Sequence, residues 1–133
     1  CSGAMYTALV PDAYMDYLES TYDTTRREVK EKMHDYFVSW NKNYGNEGSM
    51  SYEIVQHEDI SDSGIADLES QLKTSYGITA DIQKAVSVRI TINDGGQKGT
   101  ESTTFVKIKN RWCSMDAMKD MDYVCKYDGY NEW

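Results

Sequence analysis

The stretch from Ala85 to Trp112 constrains this chain more than any other. It reads Ala85-Val86-Ser87-Val88-Arg89-Ile90-Thr91-Ile92, then Asn93-Asp94-Gly95-Gly96, and resumes as Thr103-Thr104-Phe105-Val106-Lys107-Ile108-Lys109-Asn110-Arg111-Trp112. In the first part apolar residues fall on every second position, which puts Val86, Val88, Ile90 and Ile92 on one face of a strand. Asp94-Gly95 supplies the positive φ angles of a tight antiparallel reversal. Asn110 marks a second reversal, because Asn enters the left-handed region more cheaply than most residues. Three consecutive antiparallel strands are expected here. They carry packing residues and solvent-facing Lys and Thr, and no chemistry of their own.

Helical spacing governs what comes before. Pro11-Asp12 reads as a helix start, followed by Tyr14, Tyr17, Leu18 and Thr21/Tyr22 on one stripe. Thr24-Thr25 interrupts that stripe, and Thr25-Arg26-Arg27-Glu28 fits a capping box. A second helix then carries Val29, Met33, Tyr36/Phe37, Trp40 and Tyr44 along one face and closes at Gly45. The pattern leaves open whether Asp12 to Asn43 forms two helices or one kinked helix. After a polar loop from Asn46 to Ser49, Ser51 to Gln56 reads as a short strand. Ser61 is the expected N-cap of a third helix, with Ile65, Leu68, Leu72 and Tyr76 as its buried stripe and Gly77 as its terminator. Beyond Trp112 no strong period is evident. Met115 to Met121 reads as a short helical turn and Tyr123 to Trp133 as an extended tail. The resulting division is a tether at 1–11, a folded domain at 12–115 and a C-terminal extension at 116–133.

A chain of 133 residues fits one ordinary core. Its net charge of -8 repels phosphate backbones and anionic headgroups, so nucleic acid is not an expected partner. No apolar run approaches the roughly 18 residues that span a bilayer, and no positively charged start followed by an apolar stretch is visible, so any secretion signal is expected to have been removed already. Eleven tyrosines against two phenylalanines suit cleft linings and half-wet surfaces, since the ring is apolar and the hydroxyl is not.

Three cysteines make an odd set. Cys1 stands apart by position, and the start Cys1-Ser2-Gly3 resembles a bacterial lipoprotein whose first cysteine is diacylated; a vector-derived start is the other reading. Cys113 and Cys125 then form either a disulfide in an oxidising compartment or two free thiols.

Catalytic and metal-binding patterns are weak throughout. His34 has Glu31 and Asp35 near it, yet these residues together read as a solvated helix edge rather than a general base. His57-Glu58-Asp59 sits at an expected strand-to-helix junction, where polar residues are ordinary and metal sites usually draw on separated segments. Asn93-Asp94-Gly95-Gly96 lacks the spaced ligands of a calcium loop, and Gly95, Gly96 and Gly99 precede no helix that could cradle phosphate. Asn46-Glu47-Gly48 is not a glycosylation acceptor. No strained nucleophile elbow or activated cysteine is visible. No catalytic residue, metal or cofactor is therefore expected.

Three segments carry a family resemblance: Tyr52-Glu53-Ile54-Val55-Gln56-His57-Glu58-Asp59-Ile60, the helix ending Tyr76-Gly77-Ile78, and Phe105-Val106-Lys107-Ile108-Lys109-Asn110-Arg111-Trp112. In order and phrasing, from about Asp12 to Met115, the chain resembles the nuclear transport factor 2-like superfamily, particularly its small secreted or lipid-anchored bacterial members. The resemblance implies an α+β fold in which N-terminal helices pack in a curved antiparallel sheet, a cone. A helix then separates the first strand from a three-strand C-terminal meander, and Trp112 packs against the cone at the start of the last strand. Enzymes of that superfamily place an Asp/His or Tyr/Asp pair deep in the cone, and no motif transfers either pair to this chain.

Within such a cone Tyr14, Tyr17, Tyr36, Phe37, Trp40, Tyr52, Phe105 and Trp112 are the candidate lining of a ligand pocket, or simply its filling. The function expected is a non-enzymatic extracytoplasmic domain, lipid-anchored at Cys1 or secreted, binding a partner protein or small ligand at the bacterial cell envelope. The alternatives are a small isomerase- or hydratase-like enzyme with its site in the cone, and a homodimeric assembly module.

Overall fold

A computed structural model describes residues 6–44, 50–94 and 97–127. Four helices and four strands follow in the order α1 (Asp12–Tyr22), α2 (Arg26–Tyr44), β1 (Met50–Asp59), α3 (Asp62–Tyr76), β2 (Ile82–Asp94), β3 (Gln97–Ile108), β4 (Arg111–Ser114) and α4 (Met115–Tyr127). The strands form one open antiparallel sheet in the order β1-β2-β3-β4. The α+β class, the helix between the first two strands and the three-strand meander are as expected, and the arrangement is consistent with a cone-like fold.

Local chemistry accounts for most boundaries. Asp23 adopts φ 50, and its left-handed turn ends α1. The capping box then starts α2 afresh: Thr25 N donates to Glu28 Oε1 at 3.0 Å, and Glu28 N donates to Thr25 Oγ1 at 3.1 Å. The segment from Asp12 is therefore two helices. Ser61 caps α3 through Gly64 N at 3.3 Å. Gly77 ends α3 at φ 68, with Gly77 N on Lys73 O, the bond of an αL cap, and Ile78 N reaching back to Leu72 O. Lys109 and Asn110, at φ 51 and 63, make the two-residue turn between β3 and β4. A β-bulge at Gln83 lets its side chain clamp that turn, accepting from Asn110 N at 2.7 Å and donating to Asn110 Oδ1 at 3.1 Å. Asp94 pairs with Gln97, while Gly95 and Gly96, like Gly45 and residues 46–49, lie outside the described residues.

Three expectations change. β1 extends to Asp59, because pairing with β2 as far as Val86 continues the strand through His57-Glu58-Asp59. Residues 6–11 are not a loose tether: 6–8 form a helical turn, Val10 is fully buried, and Leu9 O accepts from Ser114 N at 2.7 Å. The largest change is at the C-terminus. Residues 115–127 form a thirteen-residue helix that buries Met115, Ala117, Met118, Met121, Val124 and Cys125. Ser114 Oγ caps it by accepting from Ala117 N at 3.1 Å. This segment belongs to the core rather than to an extension.

The core joins Val10, Tyr14, Met15 and Leu18 to Val29 and Met33, to Leu72, and to the buried face of α4. From the sheet it takes Ile82, Ala85, Val106, Ile108 and Cys113, which lie at one end only. Glu69 Oε2 accepts from Ile82 N at 2.9 Å and fixes α3 to the start of β2.

Candidate functional site

The eight candidate aromatics do not converge on one pocket. Tyr14 and Tyr17 of α1 meet Tyr76 at the end of α3, with ring centroids 5.0 and 4.9 Å from it. Tyr22 stands edge-on to Tyr17 at 6.3 Å. Asp122 of α4 faces this group, and its Oδ1 accepts from Tyr17 Oη at 2.6 Å and from Tyr22 Oη at 2.7 Å. Tyr14 Oη donates to the Met118 carbonyl. Burial, and for the outer pair the bond to Asp122, push the Tyr22 and Tyr76 phenols up to about 12 and those of Tyr14 and Tyr17 higher still. The Tyr14, Tyr17 and Tyr22 hydroxyls are committed to protein acceptors. The cluster ties α1 to α4 and presents no reactive group.

Tyr36 borders a shallow depression with Lys119, Asp120 and Tyr123. Burial, and then Asp116, raise the Asp120 carboxyl to about 6. Phe37 is 38% exposed, Phe105 is half-buried, and the side chains of Trp40 and Tyr52 lie outside the described residues, as does Cys1. Trp112 stands at the second position of β4 but is 40% exposed rather than packed away. Cys113 and Cys125 are both buried, as separate thiols rather than a disulfide, and burial raises the Cys113 thiol. His34 is exposed beside Glu31 and Asp35. His57 and Asp59 share one face of β1 and Glu58 takes the other, so strand geometry splits that triplet. Among the described residues no three His, Cys, Asp or Glu side chains gather as metal ligands, and no helix is long and apolar enough to cross a membrane.

One cleft of about 470 Å³ does open, where the start of α1 meets the α3–β2 connection and the β3–β4 turn. Pro11, Ala13, Ile78, Ala80 and Ile108 give it apolar walls, and Asp12, Asp81, Lys109 and Arg111 bring charges of both signs. None of the eight aromatics lines it. The Arg111 guanidinium is held there by the Val10 carbonyl.

The sheet itself supplies a further surface. Ala85, Val106 and Cys113 are register partners, all fully buried, so the helices cover their face. Val86, Val88, Ile90 and Ile92 point to the other face, and Ile54 of β1 and Phe105 of β3 join them there opposite Ile90 and Val86. None of these six belongs to the core or packs against it. Ile54 is 68% exposed and Val55 50%, and every residue from Glu53 to Asp59 is exposed. The alternation in β2 thus marks an apolar face turned away from the helices. Covering the partly buried side chains would contribute about 1 kcal/mol or less each, and exposed Ile54 more. His57, Asp59, Glu101 and Thr103 border the row on the same face, and an apolar strip rimmed by polar residues marks interaction sites in soluble folds.

The fold and surface define an α+β domain whose sheet turns an apolar row, partly buried along β2 and exposed at Ile54, away from the helices. No protein-family model matches the chain, and neither a curated protein nor a solved structure is similar to it.

Proposed function

We propose that the chain is a non-enzymatic binding domain that docks a partner protein on the uncovered side of its sheet, at the bacterial cell envelope. One observation carries the docking role: Ile54, Val86, Val88, Ile90, Ile92 and Phe105 share a face that the helical core leaves out. The clustered tyrosines add to it, because their hydroxyls are spent in holding α1 against α4. Site-specific photo-crosslinking in the native cell tests the role, with the probe at Ile54 and, as control, at exposed Asp67 on α3. Adducts of defined mass from Ile54 alone are the expected result; equal adducts from both positions, or none, would overturn it. The envelope address follows from the resemblance to secreted and lipid-anchored proteins. Mass spectrometry of the chain from its native membrane reads out a diacylated Cys1, and an unacylated, soluble chain removes that part.

The cleft beside Arg111 favours a small ligand as a second reading, one with an apolar body and a charged group. Native mass spectrometry of the chain purified from its source would show a retained small molecule, lost when Ala80→Trp fills the cleft. An unliganded mass in both forms counts against it.

A further inference from the structure

β1 is an edge strand, and the structure assigns to it a particular kind of occupant. We propose that β1 takes up an extended segment of another protein as a fifth strand, one whose alternate side chains are apolar and basic. The inference rests on the partner-docking role and names that partner's chemistry. In the order β1-β2-β3-β4, β1 pairs on one side only among the described residues, and its length of ten residues gives a long ladder edge. The other edge, β4, has four residues and runs straight into α4. Natural edges are often guarded by Lys or Pro. β1 contains neither, and it keeps ladder pairing on both sides of the bulge at Val55, where the register shifts by one residue.

Its two faces differ in chemistry. On one, Ile54 extends the apolar row of β2, and His57 and Asp59 follow it opposite Val88 and Val86. On the other, Glu53, Gln56 and Glu58 lie opposite Thr91, Arg89 and Ser87. Segment 50–59 holds three carboxylates and no Lys or Arg. Lys84 stands 4.0 Å from Asp59, which leaves Glu53 and Glu58 as the acidic positions of the polar face. A strand with alternating apolar and basic side chains would lengthen the first face and neutralise the second. A second copy would bring carboxylates to carboxylates, in a chain already at -8.

The test uses an acetylated peptide of alternating Val and Lys, of about ten residues to match a strand, with the full chain. Fluorescence anisotropy measures binding, and hydrogen exchange locates it. Binding should protect amides of β1, and Glu53→Lys with Glu58→Lys should weaken it about five- to tenfold. A Val/Glu peptide should fail to bind. A Val/Lys peptide N-methylated on every backbone amide should also fail, since it keeps every charge but has no N–H on either edge to extend a ladder. Equal binding by the N-methylated or the Val/Glu peptide, protection away from β1, or dimerisation through β1 in sedimentation would overturn the inference. The N-methyl comparison needs no variant of the chain, so it decides the matter even if the double variant folds poorly. Crosslinks from Ile54 in cells alongside failed peptide binding would sink this inference and spare the docking role. Absent crosslinks would sink that role itself.

Discussion

Asp122 shows how much a single side chain holds in this protein. Two phenol hydroxyls end on its Oδ1, so Asp122→Ala strands both in a half-buried setting. The expected cost is about 2 kcal/mol in urea unfolding. A double-mutant cycle with Tyr17→Phe should show coupling, and additive losses would mean the bond contributes nothing. Asp120, two residues earlier, works in the opposite sense. Its carboxyl is raised to about 6, so the folded state holds that proton more tightly than the unfolded chain does. Its contribution is full below about pH 4 and is lost as pH rises through 6. Asp120→Asn should therefore add about 1 kcal/mol at pH 7, after allowing for its partial exposure, and flatten the fall between pH 4 and 6. Stability curves for both proteins at pH 4 and pH 7 check this, and a loss at pH 7 would contradict it.

At the scale of elements, caps were the most legible feature. Thr25/Glu28, Ser61, Gly77 and Asn110 each act through a bond or a φ angle set by a few neighbouring residues, so local sequence reports them. Gly77 offers a clean check: a Cβ there meets nothing within 4 Å, so Gly77→Ala is strained by φ alone. A loss of about 1 kcal/mol in chemical denaturation is expected, and no loss would mean the helix end relaxes freely. α4 was the failure. Met115, Met118, Met121 and Cys125 recur at steps of three and four, but Asp116, Lys119 and Asp120 between them mask the stripe. Ser114 before Met115 was the overlooked start signal. β1 was read too short, because its last residues depend on a partner strand some thirty positions away in sequence, which local polarity does not reveal.

For the whole molecule, periodicity revealed a two-faced sheet but not which face meets the helices. Val86, Val88, Ile90 and Ile92 look like core positions, yet Ala85 and Val106 take that place, because the helices pack across the other face. The tyrosines were legible as a group and their partner was not, since Asp122 is a hundred or more residues from Tyr17 and Tyr22. Their burial has a consequence at high pH. Tyr6, Tyr14, Tyr17, Tyr22 and Tyr76 all have raised phenols, so their contribution is full below pH 10; it is lost as pH climbs toward 12 for Tyr6, Tyr22 and Tyr76, and at still higher pH for Tyr14 and Tyr17. Phenolate absorbance should show these groups silent past pH 10 and released with unfolding, whereas in concentrated urea all eleven should titrate together. Hydrogen exchange of the isolated chain tests the uncovered sheet most directly. β1 and the β2 segment around Ile90 should exchange far faster than the buried amides of α4. Protection of β1 equal to that of α4 would mean its face is already covered, and would contradict the account.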